Sequence, residues 1–178
     1  REASVSDLKE YSKEFNFIVD EIDAQEIEKI AISSTKIRNS INQGDLKTTK
    51  KYLGRFFSLT GKVVKGDGLG KQIDYPTANI LIEEDYKIIP KDGVYYIRTT
   101  IDNKLYNGMM NIGHRPTIGN KAKSIEVNLF NFDRDIYDKV ISVDVVVKIR
   151  DEKKFSSINA LKAQLAKDEE HCLNLINK

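Results

Sequence analysis

The residues best suited to chemistry cluster in one stretch, 65–80, which reads KGDGLGKQIDYPTANI. Gly66, Gly68 and Gly70 stand at alternate positions, and Lys71 follows them. Without Cβ atoms, backbone N–H groups at such positions can turn toward a phosphate, and the lysine adds positive charge. A plain glycine-rich hairpin between two strands would look the same on spacing alone. The stretch is not a Walker A loop, because Gln72 follows Lys71 where Ser or Thr is needed. Nor is it a dinucleotide fingerprint, because Pro76 stops a helix from opening there. Pro76 also holds Tyr75 extended, which brings the side-chain oxygens of Thr77 and Asn79 close together beside the phosphates. Such oxygens suit a hard cation such as magnesium, which keeps several waters and also takes phosphate oxygens.

Further along, Glu126 sits in SIEVNLFNF, where Ile125, Val127 and Leu129 alternate with Ser124, Glu126, Asn128 and Phe130. A glutamate on a strand is either solvated or, beside a reacting hydroxyl, a base. The run NIGHRPT at 111–117 contains Gly113 and Pro116, which could shape a turn and leave His114 and Arg115 exposed. Arg150 and Phe155 can be read as an ion-pair partner and a core anchor, or as ligand contacts. ISSTKIR at 32–38 also has two readings. Ser33, Ser34 and Thr35 could cap a surface helix, or they could meet a phosphate together with Arg38.

Two kinds of element must position these groups. Residues 4–15 carry Val5, Leu8, Tyr11 and Phe15 at helical steps. Residues 17–19 and 30–32 read as short strands, the first of them buried. A helix follows to Gly44, and another covers 46–52. After 53–56 the pattern changes to alternation, and six strands are expected at 57–65, 78–82, 93–100, 105–112, 124–132 and 141–149. In the last, Ile141, Val143, Val145, Val147 and Ile149 are expected on one face. Turn residues separate the strands, and a helix over 157–176 shows an apolar stripe of Ile158, Leu161, Leu165, Cys172 and Leu175, interrupted by Asp168. The expected fold is therefore mainly β: a six-stranded antiparallel barrel of Greek-key type with a C-terminal helix, preceded by a small α/β portion.

Composition narrows the field. The chain has 178 residues, 40% hydrophobic and 31% charged, which is ordinary for a globular domain. Its 29 basic and 27 acidic residues are dispersed, which argues against a nucleic-acid partner. Cys172 is the only cysteine, so an intrachain disulfide is excluded, and two separated histidines give no zinc spacing. No apolar run reaches membrane-spanning length and no signal peptide is read, so no membrane partner and a cytoplasmic location are expected. The chain opens on Arg1, which reads as a processed chain or an excerpt of a longer protein.

The ordered set of motifs resembles the riboflavin kinase family: the glycine-rich loop with Pro76-Thr77-Ala78-Asn79, then Gly93-Val94-Tyr95, the run 111–117, Glu126, and Ile136-Tyr137. One departure is Asp74, where bacterial members usually carry glycine. The resemblance implies a riboflavin kinase over 55–178, using ATP, riboflavin and Mg2+ to make FMN. It implies Gly66, Gly68, Gly70, Lys71 and Thr77 at ATP, Thr77 and Asn79 at the metal, and Glu126 as the catalytic base. It makes 111–117 a flap, with Asn111, Arg150 and Phe155 at the flavin. Residues 1–54, with ISSTKIR and YLGR, resemble the end of the FMN adenylyltransferase module found upstream of bacterial riboflavin kinases, with Ser33, Ser34, Thr35 and Arg38 at its nucleotide. That module's own histidine motif does not occur here, so FAD formation is expected of a parent carrying the missing front half and not of this chain. Two rivals stand beside this reading. A non-catalytic flavin- or nucleotide-binding barrel would bind flavin without turning over ATP, and a nucleic-acid-binding barrel would need a basic face with exposed aromatics.

Overall fold

In the computed structural model, residues 4–21, 26–27, 30–66, 68, 70, 73–114 and 123–176 are described. The chain divides into two compact units, Arg1–Ser33 and Ser34–Lys178.

The first unit holds α1 (Val5–Phe15) and a two-stranded ribbon of β1 (Glu26–Ile27) and β2 (Ile30–Ala31). Ser4 and Asp7 form a reciprocal capping box that starts α1, each satisfying the other's backbone N–H. The strand expected at 17–19 does not form. A strand requires a hydrogen-bonding neighbour, and β1 and β2 pair only with each other among the described residues. Ile18 is 95% exposed rather than buried.

The second unit begins with α2 (Ser34–Gln43) and α3 (Leu46–Leu53). Gly44 ends the first helix at φ 76°, and the Asp45 carboxylate caps the second by accepting from the Thr48 N–H at 3.0 Å. α3 packs on the barrel, and Leu46 joins the barrel's own core.

Six strands then close a barrel: β3 (Phe57–Val64), β4 (Ala78–Leu81), β5 (Gly93–Ile101), β6 (Lys104–His114), β7 (Lys123–Leu129) and β8 (Val140–Arg150). Their order around the barrel is β3-β4-β7-β6-β5-β8, with β8 pairing back to β3 and every pair antiparallel. Strands β5, β6 and β7 follow one another as neighbours while β8 returns beside β5, which is the Greek-key arrangement. Each strand lies within about three residues of its expected span, because alternation and turn chemistry both mark it.

Alternation sorts side chains onto two faces. Inside the barrel Leu59, Val63, Tyr95, Met110, Ile125 and Val127 belong to one buried cluster. Outside it, Val94, Tyr96 and Met109 pack with Cys172 of α4 (Ile158–Ile176) in a second. The expected single face on β8 holds only in part. Ile141, Val143 and Val145 point inward, but Val147 and Ile149 pack with the outer cluster. The register shift against β5 between Tyr96 and Ile97 causes this, since the extra residue, Val146, reverses the alternation; a second shift, between Val94 and Tyr95, restores it at Arg150. On α4, Ile158 is 56% exposed and so leaves the expected stripe, while Asp168 is only 2% exposed. Burial, then the Asp168 and Glu169 carboxylates, push the Cys172 thiol up to about 12, so it stays protonated.

Candidate active site

Register alone brings together groups scattered over 72 positions of sequence, from Asn79 to Arg150. Glu126 of β7 lies directly between Asn79 of β4 and Asn111 of β6. Asn111 in turn opposes Val94 of β5, which opposes Arg150 of β8. Residues paired across neighbouring strands share a face, so this row runs across the outer face of the barrel. Its inner counterparts, Ile125, Val127, Met110 and Ile112, fill the core, and that packing sets the direction of the row.

Between the outer face and α4 lies a cavity of about 250 Å3. Glu126, Asn111 and Arg150 are among its polar lining, together with Asn128, Glu152 and Lys153, and Met109, Phe155 and Leu165 are among its apolar lining. Gly70 and Thr77 border it from the glycine-rich side. A mainly apolar cavity with a few convergent polar groups fits a flat, partly polar small molecule. A second cavity, of about 390 Å3, lies beside β4 and the 132–137 turn, lined by Pro76, Phe132, Arg134, Ile136 and Tyr137. Thr77 borders both.

The loop between β3 and β4 closes on itself. The N–H groups of Ile73 and Tyr75 donate to the Gly70 carbonyl at 3.2 and 2.9 Å. A Cβ on Gly70 would stand 2.2 Å from the Tyr75 carbonyl oxygen and 3.2 Å from the Thr77 Oγ1. Gly70→Ala is therefore expected to pry this turn open and lower kcat/KM on the order of 10²-fold, since small displacements of a positioned group cost about that much. Steady-state kinetics would show the loss. Gly66 and Gly68 lie on the same loop without lining either cavity, Gly68 at φ 74°. Lys71 lies outside the described residues.

Asp74, the departure from the family pattern, takes φ 63°, a left-handed conformation that glycine adopts most readily. Its carboxylate accepts from Lys162 of α4 at 2.8 Å, and the Tyr75 hydroxyl donates to Glu169 at 3.1 Å. Burial, then the bond to Glu169, raise the Tyr75 hydroxyl above its ordinary range, so it remains a donor through neutral pH.

Arg150 is held by the buried Asp168. Its Nε donates to both carboxylate oxygens at 3.1 and 2.9 Å, and Nη2 lies 2.8 Å from Oδ2. Gln164 adds a donor at 2.9 Å. The guanidinium stands 5.7 Å from the centre of the Phe155 ring. Sequence reasoning recorded Asp168 only as a break in an apolar stripe. An acidic group on an apolar helix face calls for a buried partner, a signal that marks Asp168 without naming Arg150.

His114 ends β6 with its Nδ1 2.7 Å from Asp92, which Lys123 also approaches at 3.3 Å. It forms a polar tie at the strand end and does not line either cavity. Arg115, Pro116 and Thr117 lie outside the described residues. Ser33 precedes α2, and Ser34, Thr35 and Arg38 lie exposed in its first turns. Among the described residues no three His, Cys, Asp or Glu side chains form a group that could hold a metal ion. The remaining candidates are the neutral oxygens of Thr77 and Asn79, a set that fits a hard cation also bound to phosphate.

A Greek-key barrel that carries a polar row with one carboxylate, Glu126, against a mainly apolar cavity beneath its helix has the form of a small-molecule-binding barrel. The family model described as "Flavokinase: Riboflavin kinase" matches residues 53–176, and the chain belongs to that family. A bifunctional riboflavin kinase/FMN adenylyltransferase of Haemophilus influenzae is 36% identical over 171 residues, covering 96% of this chain and 55% of the relative. The protein of the same description from Buchnera aphidicola is 39% identical over 172 residues, covering 94% and 54%. The chain thus spans about half the length of the curated relatives it matches. A solved structure titled a macrolide-efflux protein, from Streptococcus pneumoniae, superposes with a TM-score of 0.83 at 37% identity, over 97% of this chain and 55% of that one. No helix among the described residues is long and apolar enough to cross a membrane.

Proposed function

We propose that this chain transfers the γ-phosphoryl group of ATP to the 5′-hydroxyl of riboflavin, giving FMN and ADP, with Glu126 as the catalytic base. The observation that carries this reading is the meeting of two cavities at Thr77, with Glu126 in the wall of one. The flavin ring fills the cavity beneath α4, against Met109 and Leu165, with Asn111 and Arg150 at its polar edges. ATP lies on the other side of Thr77, its base near Phe132 and Tyr137. Its phosphates follow the glycine-rich loop, with Gly66, Gly68, Gly70 and Lys71 supplying N–H groups and charge. The ribityl chain then leads the terminal hydroxyl toward Glu126. The carboxylate takes the hydroxyl proton as that oxygen bonds to the γ-phosphorus, and the bond to the β–γ bridging oxygen breaks to release ADP.

Thr77 and Asn79 would hold Mg2+, which supplies charge neutralisation to the transferring phosphates. Around it the chain's own work is positioning: Pro76 keeps 75–77 extended, and the barrel row fixes Asn79 against Glu126. Residues 1–54 are the tail of an FMN adenylyltransferase module, with Ser33, Ser34, Thr35 and Arg38 as its nucleotide contacts. A parent with the whole module would carry FMN on to FAD in the cytoplasm.

Chromatography of a reaction containing riboflavin, ATP and magnesium tests this reading. FMN that disappears with EDTA, and no FAD, is the expected result. Flavin retained on the protein with no FMN formed would instead indicate a binding module.

A further inference from the structure

The two consecutive carboxylates of α4 grip opposite sides of the site. Asp168 holds Arg150, in the wall of the cavity beneath the helix. Glu169 holds the hydroxyl of Tyr75, whose backbone N–H closes the glycine-rich turn on Gly70. The same helix presents Leu161 and Leu165 to that cavity. A third tie, Lys162 to Asp74, joins helix and loop at 2.8 Å, but the Asp74 side chain is 83% exposed, so this pair contributes little.

From this arrangement we infer that Glu169 is a positioning residue, which through Tyr75 makes flavin binding and nucleotide binding reinforce one another. The inference rests on the kinase reading above. A flavin packed against Leu161 and Leu165 favours the seated helix. The seated helix presents Glu169 to Tyr75, and Tyr75 keeps the turn closed on Gly70 for the phosphates. Nucleotide bound to the closed turn favours the seated helix in return, and the two effects are equal because binding linkage is reciprocal. The tie depends on an acceptor at position 169 and not on its charge, since Tyr75 is the donor.

Riboflavin affinity, read from quenching of its own fluorescence with and without a non-hydrolysable ATP analogue plus magnesium, tests the inference. In the wild type the analogue is expected to tighten riboflavin binding at least about 5-fold, the lower end of ordinary site coupling. Glu169→Ala and Tyr75→Phe should bring that ratio to about one, and Glu169→Gln, which keeps the acceptor, should retain it. Circular dichroism verifies the fold of each variant. A Glu169→Ala ratio equal to that of the wild type overturns the inference, as does a wild-type ratio of one with both ligands bound. Wild-type protein that binds neither ligand overturns the kinase reading and this inference with it.

Discussion

Glu126→Gln is expected to lower kcat on the order of 10²–10⁴-fold, the usual contribution of a general base, while riboflavin binding stays close to that of the wild type. Glutamine has nearly the same shape and still accepts a hydrogen bond, but it cannot take the proton from the attacking hydroxyl. The barrel should tolerate the change, because Glu126 faces outward while Ile125 and Val127 supply the packing of β7. Single-turnover kinetics at saturating ATP isolates the chemical step. A variant within about 3-fold of the wild type would remove Glu126 from the role of base and leave only positioning in the mechanism.

Asp168→Ala carries the largest expected effect on stability. The side chains of Arg150 and Asp168 are 19% and 2% exposed, and their contact is bidentate. Removing the carboxylate leaves a largely buried guanidinium without its partner, which costs about 3–5 kcal/mol. Urea unfolding followed by circular dichroism should show that loss, together with weaker riboflavin binding because Arg150 lines the cavity. Asp168→Asn should lose less, since it retains one acceptor oxygen for the Arg150 donors. A loss below about 0.5 kcal/mol for Asp168→Ala would show that Arg150 reaches solvent or another acceptor unaided.

The contrast between Glu126 and Asp168 shows where sequence reasoning ends. Glu126 was legible because strand alternation assigns it a face and because it stands in an ordered set of motifs. The strands were legible for the same reason, with Gly, Pro, Asp and Asn marking the turns between them. The apolar residues of β8 misled, because a register shift reverses alternation without any mark in the composition, as at Val147. Residues 17–19 misled because aromatic and β-branched residues carry strand propensity but cannot supply a neighbour. Asp168 was seen as an anomaly, but its partner could not be chosen among 29 basic residues. The ties from Tyr75 to Glu169 and from Asp74 to Lys162 span 94 and 88 positions, and only closure of the barrel brings them within reach. Asp74 looked like a departure from glycine; its left-handed backbone keeps the turn that glycine would make, and its carboxylate adds a tie to α4.

On the proposed reading a flavin hydroxyl, and not water, accepts the phosphoryl group at Glu126. The most direct measurement is a single turnover with ATP labelled at the γ-phosphorus, in the presence of riboflavin and magnesium. Label is expected to leave ATP and appear in FMN in equal amounts, with little in inorganic phosphate. Label released as inorganic phosphate while riboflavin remains unmodified would contradict it.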